Sequence, residues 1–374
     1  MNNKSLSALV DQVRGVSYKP KDIHDTLNDL SIVLLRANNI FDGSVDFSDV
    51  IYIDRKRVSP SQILRRGDIL VCASSGSKDL VGKAASFNCD GEYTFGAFCK
   101  VVRPKNIDDA DYISVFFQSP KYRREIAASA LGANINNIRN EHIDNLVINW
   151  PVKLNRDIIV SLLNQSKSII TLRKKQLQLF DELIKARFVE MFGGKKRYMI
   201  MQDFCSIITD GTHQPPKFAP EGIPFIFVSN IVEDKVTYNT TKFIDQNTYD
   251  ELIKRTPIEI GDILLSTVGS YGHPAVVKTE KKFLFQRHIA YLKPRKDIIN
   301  STYLHSAILS QDAQRQIEES VKGIAQKTLN LSEIKKMRIP VPCLQEQNDF
   351  STFVTQIDKS KVMKRLRLST NSFC

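Results

Sequence analysis

Residues 155–192 read NRDIIVSLLNQSKSIITLRKKQLQLFDELIKARFVEMF, without proline or glycine. Leu163, Ile170, Leu177, Ile184 and Met191 fall at every seventh position, and Ile159, Leu162, Ile169, Phe180, Leu183 and Phe188 widen that line into a stripe. Apolar residues at this period mark a helix packed along its length against another helix. The spacing therefore predicts Leu163, Ile170, Leu177, Ile184 and Met191 as helix–helix packing positions. Gly193-Gly194 closes the stretch, as glycine does beyond a helix end. At ~1.5 Å per residue the rod is roughly 55 Å long, more than an ordinary globular helix.

On either side of the rod the chain repeats one series of elements. Before it come a short helix-like segment at the start of residues 1–30, the turn-rich loop GVSYKPKDI (15–23), the strand SIVLLRANNI (31–40) with a polar end, and a strand–loop–strand, RRGDILVCASSGSKDLVGKAASF (65–87). A further strand, TFGAFCKVVRP (94–104), and a helix pair over 111–132 complete the first series. After the rod the same order returns as ITDGTHQPPKF (208–218), IPFIFVSNI (223–231), EIGDILLSTVGSYGHPAVVKT (259–279), FQRHIAYLKP (285–294) and a helix pair over 301–323. Asn39 recurs as Asn230, Gly67-Asp68-Ile69-Leu70 as Gly261-Asp262-Ile263-Leu264, Pro104 as Pro294, Ile143 as Ile334 and Pro151 as Pro342. Landmarks in one order at nearly one offset, 190 to 194 residues, mean two homologous domains, each followed by a long helix. The reading is α+β: a first domain at 1–150, a central helix at 151–194, a second domain at 195–342 and a distal helix at 343–374. Antiparallel pairing of the two helices as a coiled coil would relate the domains by a pseudo-two-fold axis. That symmetry suits a duplex gripped at two places.

The net charge of +12 points to an acidic partner, nucleic acid first. The excess gathers on and beside the rod, where 151–197 carries 11 Lys+Arg against 4 Asp+Glu. No apolar run reaches membrane-spanning length and the N-terminus is too polar for a secretory signal. The six scattered cysteines, with no CxxC pair, read as reduced cytosolic thiols.

Enzymatic motifs are missing. GSKDLVGKAA (76–85) misses the phosphate-loop spacing, places Ala84 where a hydroxyl would hold magnesium, and lies between two strands. None of the six histidines has metalloprotease spacing, and neither a GxSxG elbow nor a GxGxxG after a strand is present. The residues argue for a binding or scaffold protein that catalyses nothing itself.

RGVSYKPKD (14–22), DGTH (210–213), the twice-used GDIL, FDELIKARFVEMFG (180–193), and IPVPCLQEQNDF (339–350) followed by FVTQIDKSK (353–361) together resemble the specificity subunit of type I restriction–modification enzymes, over essentially the whole chain. The resemblance implies two target-recognition domains, each reading one half of a split double-stranded DNA site, and helices that set the gap. It implies two modification (methyltransferase) subunits docked on this chain, with restriction (translocase–nuclease) subunits joining them, in a prokaryotic cytoplasm. S-adenosylmethionine, ATP and magnesium would belong to those partners, and this chain would bind none. The chain departs from the family pattern twice. The Pro-rich approach to the helix is kept in the second copy (Pro340, Pro342, Leu344, Glu346, Gln347) but reduced to Pro151 and Leu154 in the first. The distal helix is expected to be shortened by roughly two and a half turns. Two rival readings are a self-contained enzyme acting on nucleic acid, and a truncated inactive allele serving only as a subunit scaffold.

Base and phosphate contacts need polar side chains on loops at one end of each domain. In the first domain the candidates are Ser17, Tyr18, Lys19, Arg36, Asn38, Asn39, Ser74, Ser75, Ser77, Lys78, Asn134, Asn136, Asn137 and Arg139. In the second they are Thr212, His213, Gln214, Lys217, Ser229, Asn230, Thr267, Ser270, Tyr271, His273, Arg287, His288, Gln326, Lys327 and Thr328. Asn39 and Asn230 have an alternative use in capping their own turns, and the Gly-Asp of GDIL reads first as a turn before a strand.

Overall fold

Alternate residues of a strand face opposite ways, and both faces of Asp68–Cys72 are apolar. Ile69 and Val71 join Val102, Ile113, Phe117 and Tyr122 in one core, while Leu70 and Cys72 join Leu35, Phe87, Phe95 and Val101 in another. A strand buried on both faces belongs in the middle of a sheet. In the computed structural model, which describes residues 2–77, 80–131, 137–194, 197–321 and 327–370, that is where it lies. For 130–131 and 363–370 only the backbone is described. The chain divides into two compact units, Met1–Ile169 and Ile170–Cys374.

In the first unit the six-stranded sheet runs Val10–Arg14, Cys99–Pro104, Asp68–Cys72, Ala84–Phe87, Ser44–Val45, Ile40–Phe41. A four-stranded sheet runs Tyr93–Phe95, Ser31–Leu35, Ile51–Asp54, Ile23–His24, with Tyr93–Phe95 parallel to Ser31–Leu35. Helices Ala110–Phe117 and Pro120–Leu131 cover the first core. The second unit builds the same plan from Cys205–Asp210, Ile289–Pro294, Ile263–Ser266 and Pro274–Val276 in one sheet, and Phe243–Ile244, Ile223–Ile226 and Leu284–Phe285 in another. Leu284–Phe285 is again the parallel strand, and helices Ser301–Ile308 and Gln311–Ser320 are again the cover. Both units are mixed helix and strand, an α+β fold.

The repeat extends to details. The hairpin tips Asp42-Gly43 and Glu233-Asp234 all have positive φ, between 47° and 76°, the signature of a type I′ turn. The short strand Asn3–Ser5 pairs with Val147–Asn149, as Tyr198–Ile200 pairs with Arg338–Pro340.

Three sequence expectations change. The strands read over 94–104 and 285–294 are each two strands, Tyr93–Phe95 with Cys99–Pro104, and Leu284–Phe285 with Ile289–Pro294. Turns closed by Cys99 N–H to Gly96 O (2.8 Å) and Ile289 N–H to Gln286 O (3.1 Å) carry the chain from one sheet to the other. The helix-like start is one 3-10 turn, Leu6–Ala8, before the strand Val10–Arg14. The third change is in the packing stripe. The rod is a 40-residue helix, Lys153–Phe192. Ile184 and Met191 pack on the second unit's core and Leu177 is half-buried, but Leu163 and Ile170 are 39% and 45% exposed. Periodicity reports what a helix can bury; a neighbour must be there to bury it. In the second unit that neighbour is the helix Leu344–Thr370. Lys361 reaches Asp181 at 2.7 Å, Arg187 lies over the Phe353 ring, and Phe188 and Phe192 meet Phe350, so these segments run antiparallel.

No helix among the described residues is long and apolar enough to cross a membrane. Cys72, Cys89, Cys99, Cys205 and Cys343 are free thiols, and burial pushes Cys205 up to about 12, too high for ready reaction. Cys374 lies outside the described residues.

Candidate nucleic-acid interface

The loops read as candidates are fastened to one another by backbone hydrogen bonds. In the first unit Gly15 lies so close to the 96–98 turn that an added Cβ would sit 2.1 Å from Gly96 O. Val16 N–H donates to Phe95 O (2.8 Å) and Ala97 N–H donates to Val16 O (2.9 Å), strapping the GVSYKP loop to that turn. Ala73 and Ser74 N–H both donate to Phe98 O, at 2.9 and 3.0 Å. Ser74 forms a bridge with Asn137, and Ile138 N–H donates to Ala73 O. Ser17, Lys19, Ser77, Asn137 and Arg139 are exposed on this frame, and Ser74 and Ser75 are half-buried. Tyr18 turns inward against Val16, Ile32, Leu34 and Ile53. The loop behind it is held by Asp22, whose carboxylate accepts from Lys19 N–H (2.8 Å) and from Arg57 (2.9 Å). The Lys19 amide, and then Arg57, hold the Asp22 carboxyl below the usual carboxylate range.

Arg36, Asn38 and Asn39 form a second group. Arg36 and Asn38 both donate to the Asp49 carboxylate, at 3.0 and 2.6 Å. Asn39 is 1% exposed, its Oδ1 accepting from Arg36 N–H (2.7 Å) and its Nδ2 donating to Asp46 O and Asp49 O. Asn230 repeats this at 5% exposure, with Oδ1 accepting from Phe227 N–H and Nδ2 donating to Asn239 O. Both amides shape their loops from inside.

The second unit gathers its candidates around a cleft of about 450 Å³ lined by Asp210, Thr267, Val268, Arg287, His288, Thr328, Leu329, Asn330 and Leu331. Gly211 approaches as Gly15 does, its Cβ position 2.2 Å from Phe285 O. Thr212 N–H donates to Phe285 O and Arg287 N–H to Thr212 O. Thr267 N–H donates to His288 O (3.0 Å), Leu329 N–H to Thr267 O (2.9 Å), and Val268 bridges Thr328. At the rim, the largely buried Asp210 carboxylate meets the exposed His213 (3.0 Å) and Arg255. A cleft with a carboxylate acceptor, hydroxyls, an arginine and an imidazole can pair with donors and acceptors alike.

Asp210 and Arg255 are site residues that the sequence reading passed over. Asp210 stands in the quoted DGTH, while Arg255 follows a helix, Gln246–Leu252, where the first unit has only the 3-10 turns Arg55–Arg57 and Pro60–Gln62, and it gave no signal. Gln214, Lys217, Ser229, Ser270 and Lys327 are exposed and outside the cleft lining; Tyr271 packs on the core. His273 is tied to the hairpin tip by Nδ1 to Asp234 Oδ1 at 3.1 Å. Lys78, Asn134, Asn136 and Gln326 lie outside the described residues.

Residues 201–368 match the family described as the type I restriction modification DNA specificity domain. The EcoKI type I restriction enzyme specificity subunit of Escherichia coli (strain K12) is 27% identical over 377 residues, spanning 94% of this chain and 81% of that protein. A chain solved in work on complex assembly and conformational transition of the type I R-M system is similar with a TM-score of 0.57 and 17% identity, over 99% of this chain and 93% of that one. The type I restriction–modification S subunit from M. genitalium gives 0.54 and 15%, over 99% and 92%. At these identities the two structures share a fold with this chain.

Proposed function

We propose that the chain belongs to the type I restriction–modification DNA specificity family, which residues 201–368 match, and is the sequence-recognition subunit of such a complex, reading a bipartite DNA site with one half assigned to each unit. The observation that carries this reading is the twice-built loop frame: the Gly15–Gly96 and Gly211–Phe285 approaches, and the Ser74–Asn137 and Val268–Thr328 bridges, rebuild one polar loop cluster in each unit.

In the first unit the base and phosphate contacts fall to Ser17, Lys19, Ser77, Asn137 and Arg139. In the second they fall to His213, Arg287, His288 and Thr328, with Asp210 accepting from a cytosine or adenine amino group. Asn39 and Asn230 hold the loops in place. The finer architecture, target-recognition domains carried on long antiparallel helices with a pseudo-two-fold relation and a fixed gap between half-sites, belongs to the same proposal. So do the partners: double-stranded DNA, two modification subunits and the restriction subunits, which carry S-adenosylmethionine, ATP and magnesium.

The test is modification mapping. The chain is co-expressed with its modification subunits in a methylation-free host, and the DNA is sequenced for modified adenines. A single split motif is the expected result. Co-purification of the subunits without any modified motif would overturn the reading.

A further inference from the structure

The turns Gly96-Ala97-Phe98 and Gln286-Arg287-His288 hold the same place in their units. Val16 bridges Gly96 as Thr212 bridges Gln286. Ala97 N–H donates to Val16 O (2.9 Å) as Arg287 N–H does to Thr212 O (3.1 Å), and Ala73 N–H donates to Phe98 O (2.9 Å) as Thr267 N–H does to His288 O (3.0 Å). Phe98 is therefore the counterpart of His288, which lines the cleft.

Phe98 is 70% exposed. Its neighbours through the backbone are the polar residues of the loop frame: Ser74 donates to its carbonyl, and Asn137 is bridged to Ser74. A single exposed apolar residue is ordinary on a protein surface. This one is held by the hydrogen bonds that position the candidate contacts, on a turn whose twin presents an imidazole.

A phenyl ring has no hydrogen-bond donor or acceptor, so it cannot read the polar base edges. The one apolar group that the major-groove edges offer is the 5-methyl of thymine. We propose that Phe98 contacts a thymine methyl in the half-site read by the first unit, at the structural position where the second unit presents His288. The same scaffold position would then read carbon in one half-site and a polar edge in the other. This rests on the DNA-recognition reading above.

The test uses the chain assembled with its modification subunits and synthetic duplexes carrying the mapped site. Each thymine is replaced in turn by uracil, which deletes only the methyl. With the unsubstituted chain, one position should lose roughly fourfold in affinity, the worth of one buried methyl-sized group. Phe98→Ala should bind the thymine and uracil duplexes at that position equally, and Phe98→Leu should keep part of the preference. The proposal falls if no thymine is sensitive to uracil, or if Phe98→Ala keeps the full preference. Equal weakening on both duplexes with the preference intact would also sink it. An unsubstituted complex with no sequence-specific binding would bring down the parent reading, and is recognised without any variant.

Discussion

The Arg103 guanidinium grips the buried Asp68 carboxylate through Nε to Oδ1 at 2.8 Å and Nη2 to Oδ2 at 2.7 Å. Arg65 N–H donates to the same carboxylate at 2.8 Å, and Arg103 also donates to Ile63 O. In the second unit Asp262 accepts from Glu259 N–H (2.8 Å), Tyr291 (2.6 Å) and Lys293 (3.4 Å). The Gly-Asp shared by the two GDIL sequences is thus an anchor that ties the start of the central strand to its neighbour.

Asp68 is 1% exposed and Arg103 13%, so removing one partner leaves a charge stranded. Asp68→Ala should cost about 3–5 kcal/mol, read by denaturant unfolding on the transition of the first unit. Adding Arg103→Met should restore much of the loss, since a hydrophobic replacement of both partners removes the stranded charge. A single-variant loss below about 1 kcal/mol, the range of exposed pairs, would show that the bridge is not an anchor.

Asn39 and Asn230 make a different prediction from the exposed loop residues. Asn39→Ala strands Arg36 N–H and the Asp46 carbonyl, and Asn230→Ala does the same to Phe227 N–H and the Asn239 carbonyl. Each should lower stability by about 1–3 kcal/mol while the modified motif, where modification survives, keeps its sequence. A changed base preference from either variant would return these amides to the contact surface.

How much of this was legible in the residues follows from what each signal reports. The recurrence of Asn39 as Asn230 and GDIL as GDIL reported element order, because landmarks at nearly one offset survive small changes in the intervening loops. The turn at 96–98 was hidden because the apolar run continues through it, and at 286–288 the chain changes sheet over Gln286-Arg287-His288, which carries no glycine, proline or asparagine to signal a turn. Asp210 and Arg255 come together from positions 45 apart in sequence, a pairing that no periodicity carries. Leu163 and Ile170 match their heptad yet stand exposed, because a pattern does not supply the neighbour it needs.

The core beneath the second unit's helices is an aromatic cluster. Phe188 stacks on Tyr303 with centroids 5.6 Å apart, and Phe192 and Phe350 close it edge-on. Tyr303 donates its hydroxyl to Pro340 O at 2.6 Å. Phe350 is fully buried, so Phe350→Ala should cost about 3–5 kcal/mol. Asp181→Ala removes only the exposed end of the Lys361 ion pair and should cost under about 1 kcal/mol. Thermal unfolding of the two variants in parallel separates them. Equal losses would mean that the ion pair holds the helices as strongly as the aromatic cluster does, against this reading.

Arg287 is the exposed arginine of the second unit's cleft, beside His288 and Thr328. Its backbone is fixed by the bond to Thr212 O (3.1 Å), so deleting the side chain should leave the loop frame in place. If the second unit reads one half of the site, Arg287→Ala must act on that half alone. The expected loss is about 1–3 kcal/mol with one position of that half-site relaxed, the pattern of a base contact. The opposite half, including any thymine sensitive to Phe98, should be untouched, because the Arg287 turn is fastened to Thr212, within its own unit. Binding measured on duplexes mutated in one half at a time decides it. A uniform loss across all duplexes, with a shallower salt dependence, would mark Arg287 as a phosphate contact and end its claim to specificity.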